Sequence, residues 1–322
     1  MRAGKDVWIC WSFGKSVVRL VSLSKNSSAN LKAALGMKPE KQFLNQPKHF
    51  WANVRSVSQH IGYTDRKTRL TKVPRIDEIV EALRERGLKS SHVADNHGRP
   101  TELGATLVAY FGHRAKVLHE VARPNLMDAT RARATFRKLK RKLKPRWSVP
   151  LNKQTGAKKA EAYFTGIVNM LIESNCGNLP CEYNPRELTS VTVNGAPVRT
   201  LARWVDGAFP GTVNPIAVWE VKEYYYTTSF GSRIADGVYE SLLDGMELEE
   251  LREHEKIDVK HYLMVDAYDT WWNMGRSYLC RIVDMLHMGY VDEVLFGAEV
   301  LTRLPAIVRE WVAAERQRRR LQ

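Results

Sequence analysis

The sequence predicts an α/β (α+β) protein: a mixed sheet flanked by helices, preceded by a mainly helical basic domain. Three observations predict it. Residues 47–122 and 131–146 carry apolar side chains at helical spacing, with a heavy excess of Lys and Arg. Residues 216–222, 257–266 and 291–296 are short apolar runs of strand type, separated by helical stretches from Ser232 and Met274. Strand, helix, strand is the ending of a mixed α/β core. Charge divides the chain in the same place. Residues 1–150 hold 31 Lys+Arg against 11 Asp+Glu, and residues 151–322 hold 19 against 24, so a +20 half precedes a −5 half. The expected domains are therefore 1–150 and 151–322.

In the first half, residues 1–12 read as a strand. His49 to His60 places Phe50, Val54 and Val57 on one helical stripe. Tyr63 to Lys72 reads as a loop, in which Arg66, Lys67, Arg69 and Lys72 are phosphate-contact types. Asp77 is positioned to cap a helix from Glu78 to Arg86, ended by Gly87. Thr101 opens another, through Leu103, Leu107 and Phe111 to Leu118. Residues 131–146 put Phe136, Leu139 and Leu143 at i, i+3, i+7, with basic residues elsewhere, up to Pro145. Such a helix buries a narrow stripe and presents Arg137, Lys138, Lys140, Arg141 and Lys142 to a polyanion. Lys153 to Lys159, around Gly156, reads as the hinge.

In the second half, residues 157–174 read as an amphipathic helix with Phe164, Ile167, Val168 and Leu171 on its apolar face. Glu161 lies on or beside that face, where a carboxylate is costly unless paired or bound to a metal. Asp206-Gly207 opens a turn. Ile216 to Lys222 is a strand whose alternation sends Glu220 and Lys222 to one face and Val221 to the other. Asp206 stands 14 residues before Glu220, enough for an antiparallel return that sets the two carboxylates side by side. Mg²⁺ takes a few carboxylates and completes its shell with waters and phosphate oxygens. A lysine beside it can orient water or stabilise charge on phosphate. A helix from about Ser232 carries Arg233, Asp236 and Glu240, which either form a solvated helix face or line the same cleft, with Arg233 then meeting a phosphate. Asp266 and Asp269 end the next strand, where capping is the ordinary role. Trp271 and Trp272 read as packing, and Arg316 to Arg320 as an unstructured basic tail.

Asp206…Glu220-Val221-Lys222 resembles the signature of the PD-(D/E)XK nuclease superfamily, the core of many type II restriction endonucleases. Val205 stands where that pattern usually has proline. The resemblance implies a restriction-endonuclease-like mixed sheet and hydrolysis of phosphodiester bonds in double-stranded DNA. It implies Mg²⁺ as cofactor, with Mn²⁺ as a substitute. It assigns Glu161, Asp206 and Glu220 to the metal and Lys222 to the attacking water, with Glu161 as the glutamate of the helix preceding the sheet. It implies a homodimer, because two-fold protein symmetry matches a two-fold DNA site, and makes a cognate DNA methyltransferase a candidate partner. Repair or phage-defence cleavage by the same fold, and a noncatalytic DNA-binding regulator, remain open, as does RNA.

The composition narrows the classes further. Hydrophobic residues make up 44% of the 322, enough for sizeable cores, yet no apolar run reaches the roughly 18 residues of a membrane span. Cys10, Cys176, Cys181 and Cys280 lack the spacing of a zinc site and suit free thiols in a reducing cytoplasm.

Overall fold

Phe50, Val54 and Val57 are fully buried on the helix that their spacing predicts. The structure, a computed structural model, describes residues 37–65, 67–68, 70–152, 156, 159–227 and 231–321, with Arg233 described in its backbone only. The strand expected over 1–12 and most of the hinge lie outside the described residues.

The helices and strands run in this order: α1 (Lys41–Leu44), α2 (Lys48–Ile61), α3 (Ile76–Glu85), α4 (Glu102–Val117), α5 (Ala129–Leu143), α6 (Tyr163–Cys176), β1 (Ser190–Val193), β2 (Ala196–Thr200), β3 (Gly207–Phe209), β4 (Ala217–Glu223), α7 (Ser232–Glu255), β5 (Lys260–Asp266), α8 (Arg276–His287), β6 (Glu293–Phe296) and α9 (Val300–Leu321). A five-residue π turn, Leu118–Ala122, and a short turn, Arg123–Asn125, extend α4 towards α5.

The first helical unit packs α2, α3 and α4 around Phe50, Ile79, Leu107 and Tyr110. Thr101 caps α4 as expected, its hydroxyl accepting from the Gly104 amide at 3.1 Å. The start of α3 differs from expectation. Ile76 is already helical and Arg75 is the cap. Glu78 accepts from the Arg75 amide at 2.7 Å, and Asp77 pairs with the Arg75 guanidinium at 2.7 Å. The carboxylate three residues in, rather than the first one, closes this helix end.

The four-stranded sheet has the order β3-β4-β5-β6. The β3–β4 pair is antiparallel, while β4–β5 and β5–β6 are parallel, so α7 and α8 are the crossovers that parallel pairing requires. Alternation along β4 divides the core. Trp219 joins Phe136, Phe164, Tyr262 and Trp311 on the side of α5, α6 and α9. Val218 and the next strands' Leu263 and Val294 face α7 and α8. The basic helix α5, grouped with the first half by its charge, packs on α6, with Phe136 fully buried and Leu139 and Leu143 partly so. The expected stripe is thus the buried one.

Two further expectations are corrected. Helix α6 begins at Tyr163, because residues 160–162 hydrogen-bond back to 150–152 as extended chain: Asn152 N donates to Ala160 O and Ala162 N to Pro150 O, each at 2.8 Å. The C-terminal arginines are not an unstructured tail. Helix α9 runs to Leu321, and Arg318 and Arg319 pair with the buried Glu315 at 2.6 and 2.7 Å.

Gly207 lets β3 lie on the Trp219 ring. A Cβ at Gly207 would come within 2.1 Å of the indole, which is itself stacked on Trp311 with centroids 5.5 Å apart. Gly207→Ala is expected to cost about 1–3 kcal/mol, the range for overpacking, measured by chemical denaturation.

Candidate active site

Pairing of β3 with β4 sets Gly207 opposite Trp219, which brings Asp206 beside Glu220. The Asp206 amide donates to Glu220 Oε1 at 3.1 Å, and Asp206 Oδ2 accepts from the Val221 amide at 2.8 Å. Glu220 and Lys222 share one face, as the strand period requires, and the Lys222 ammonium lies 2.6 Å from Glu220 Oε2. Three of the four catalytic residues expected from sequence therefore converge.

Glu161 does not join them. It precedes α6 in a bridge to Leu151, and its carboxylate is held by Lys140 at 2.9 Å. The position falls outside the helix for the reason given above, so the apolar-face argument for Glu161 lapses.

Helix α7 closes the cluster with two further carboxylates. Glu240 Oε2 lies 3.3 Å from the Lys222 ammonium. Asp244, four residues on, is fully buried and accepts from Arg203 Nη1 at 2.6 Å. The same Nη1 reaches Glu220 Oε1 at 2.9 Å, and Nη2 reaches Oε2 at 3.3 Å. Arg203 and Asp244 were not singled out from sequence. The signal for Asp244 was its helical spacing with Asp236 and Glu240, which puts carboxylates on one side of α7. Asp236 is exposed on that helix.

The electrostatics follow from this geometry. Burial works to raise the Glu220 carboxyl, but Lys222 and Arg203 outweigh it and leave the group below the ordinary glutamate range. Burial works to lower the Lys222 ammonium, but Glu220 and Asp206 leave it raised. Lys222 is thus a fixed cation at neutral pH and serves as a charge or hydrogen-bond donor rather than as a base. Burial and the charge of Glu220 push Asp244 up to about 7 against Arg203. Its Oδ1 is buried with no hydrogen-bond partner.

The donor set is chemically suited to a hard divalent cation, which takes carboxylate oxygens. Arg203 occupies the gap between Glu220 and Asp244, and among the described residues no three His, Cys, Asp or Glu side chains are grouped to hold a metal. Binding of a cation at Asp206 and Glu220 would therefore need Arg203 to withdraw from Glu220.

The opposite face of β4 carries Glu223. It accepts from the Thr165 amide at 2.9 Å and from the Thr165 hydroxyl at 3.0 Å, at the first turn of α6, and burial raises its carboxyl to about 7. The folded value exceeds the unfolded one, so the charge costs stability as pH rises from about 4.5 to about 7. Glu223→Gln keeps an acceptor for Thr165 and removes that charge. It is expected to raise stability at pH 8 by about 2–3 kcal/mol, and by less at pH 5, read from melting temperatures at the two values. Asp266, which ends β5, is also structural. It is fully buried, accepts from the Met127 amide at 2.6 Å and the Ala267 amide at 3.0 Å, and is bonded by the Tyr225 hydroxyl.

The proposed DNA contacts fall into three groups. Arg137, Lys138, Lys140, Arg141 and Lys142 are exposed along α5, on the sheet face away from Glu220. Lys67 is exposed, while the Lys72 ammonium donates to the Ile61 carbonyl within a tight turn. Arg66, Arg69 and the Arg233 side chain lie outside the described residues. Cys176, Cys181 and Cys280 are free thiols, and no described helix is long and apolar enough to cross a membrane.

Residues 127–311 match the family described as Domain of unknown function (DUF7687), and residues 37–121 match Domain of unknown function (DUF7690). The first match covers more than half of the chain, which therefore belongs to the DUF7687 family. No curated protein and no solved structure matches it.

Proposed function

We propose that this DUF7687 member is a metal-dependent endonuclease of double-stranded DNA, with a restriction-endonuclease-like core. The observation that carries the reading is the convergence of Asp206, Glu220 and Lys222 at neighbouring strands, with Lys222 held 2.6 Å from Glu220. Asp206 and Glu220 would hold Mg²⁺, or Mn²⁺ in its place, which supplies Lewis acidity and a water of lowered pKa. Lys222 stays protonated and can donate to the attacking water or to a phosphate oxygen. Glu240 at the rim is placed to take a proton by way of water. Arg203, once released from Glu220, can meet phosphate through its planar fork. Hydrolysis joins the water oxygen to phosphorus and breaks one phosphorus–oxygen ester bond, the leaving oxygen taking a proton. The exposed cations of α5, on the sheet face away from Glu220, would add salt-sensitive attraction to DNA beyond the segment at Glu220.

Restriction as the biological role, a homodimer and a partner methyltransferase extend the same proposal. The experiment compares wild type with Asp206→Ala on long duplex DNAs. The variant is expected to bind DNA in a gel shift as wild type does and to cut none of it. Parallel loss of binding and cleavage would contradict the separation of binding from chemistry.

A second reading, a DNA-binding protein that does not cut, is favoured by one observation. Both oxygens of Glu220 are already taken up by Arg203 and Lys222. DNA binding unchanged by Mg²⁺, without cleavage, would establish that reading.

A further inference from the structure

A cavity of about 400 Å³ lies between the first helical unit and the face of α7 and α8. Its size falls within the range of about 300–1,000 Å³ usual for small-ligand clefts. Its lining combines three arginines with two tyrosines: Arg55 from α2, Arg86 just after α3, Arg281 from α8, Tyr63 and Tyr239. Val238, Leu242 and Met285 make part of the wall apolar. The cavity shares α7 with the carboxylate cluster, but Tyr239 and Glu240 serve different sites.

Charge is the first argument. Asp284 also lines the cavity, but Arg114 neutralises it from behind, with Nη1 3.1 Å from both of its oxygens. Among the described residues, Arg55, Arg86 and Arg281 have no carboxylate within ion-pair distance. Among the described residues, the Arg55 side chain donates to the Met288 sulfur, at 3.5 Å. Three guanidinium groups around one cleft repel each other, and an anion relieves that repulsion.

The aromatic groups are the second argument. The Arg281 guanidinium carbon is 4.3 Å from the Tyr278 ring centroid and 5.1 Å from that of Tyr63. Its Nη1 donates to the Tyr239 hydroxyl at 2.9 Å. Arg281 is thus held among rings, the Tyr63 ring also lies 5.2 Å from the Arg114 guanidinium carbon, and the exposed Tyr239 ring lines the cleft beside the exposed Arg55 and Arg86. Gln59 adds an amide able to read a base edge. A planar base with a phosphate attached meets all of these groups, since stacking uses the rings and a phosphate suits the guanidinium fork.

We propose that this cleft binds a nucleotide, with its phosphate at Arg55 and Arg86 and its base against Tyr63, Tyr239 and Arg281. The nucleotide is either free or a unit of a polynucleotide, since both present the same base and phosphate. The proposal stands apart from cleavage at Glu220, so either can fail alone.

The test is calorimetric titration of the full chain with AMP, GMP, ATP, adenosine and inorganic phosphate. At least one nucleotide is expected to bind with a dissociation constant below about 1 mM, and at least about tenfold more tightly than adenosine or phosphate alone. The exposed changes Arg55→Ala and Arg86→Ala together are expected to weaken it by at least about tenfold, with the melting temperature unchanged. A competing oligonucleotide identifies the source. Displacement that is lost in the double variant assigns the cleft to a nucleotide within a polymer, and absence of displacement assigns it to a free one. No nucleotide binding at millimolar concentration, binding indifferent to both arginines, or phosphate binding as tightly as every nucleotide would overturn the proposal.

Discussion

Arg114→Ala is expected to destabilise the chain by about 3–5 kcal/mol, the range found when one partner of a buried ion pair is removed. Arg114 is 1% exposed, and Asp284 is buried on α8. The pair ties α4 of the first helical unit to the face of the sheet domain. Tyr110 donates to Asp284 Oδ1 at 2.6 Å, and Arg114 also donates to the Ser58 hydroxyl at 3.3 Å. Alanine would leave the Asp284 carboxylate buried beside a cavity, with only the tyrosine hydroxyl to satisfy it. Urea denaturation followed by circular dichroism measures the loss. Adding Asp284→Leu to Arg114→Met should recover part of it, because an apolar pair needs no charge compensation. A loss under 1 kcal/mol for Arg114→Ala would mean that the two units do not depend on this contact.

Lys222→Met is expected to lower DNA cleavage by about 10²–10³-fold, the range for removing one positioned electrostatic donor, and to leave DNA binding in place. The change keeps an unbranched stem for the approach of Gly237, where a Cβ would stand 3.3 Å from Lys222 Cδ. It removes the ammonium that helps hold Glu220 ionised. Single-turnover cleavage measures the chemical step, and near-ultraviolet circular dichroism checks the fold. Cleavage at the wild-type rate would remove Lys222 from the mechanism.

Local patterns were legible in the sequence where one physical rule dominated. Period two along residues 216–222 predicted that Glu220 and Lys222 share a face, and β4 has them there. The stripe Phe136, Leu139, Leu143 predicted the buried side of α5, and the stripe Phe50, Val54, Val57 that of α2. The limits were set by contacts between segments distant in sequence. Residues 160–162 are helix-compatible by composition, yet their amides and carbonyls are taken by residues 150–152, and this removes Glu161 from α6. Arg316 to Arg320 looked like a solvated charge run, but Glu315 and the Asn214 carbonyl, which accepts from Arg318 at 2.5 Å, hold part of that run to the fold. Arg203 and Asp244 lie 41 residues apart, and only the packing of α7 over β4 joins them around Glu220. The cleft lined by Arg55, Tyr239 and Arg281 likewise depends on the docking of the two units and has no local sequence signature.

The most direct test of the central claim is incubation of purified wild-type protein with several long duplex DNAs, methylated and unmethylated, in Mg²⁺ and in EDTA. The account predicts discrete fragments in Mg²⁺ and intact DNA in EDTA. Intact DNA under both conditions, from folded protein that still binds it, would contradict a nuclease and leave the carboxylate cluster a structural ion-pair network.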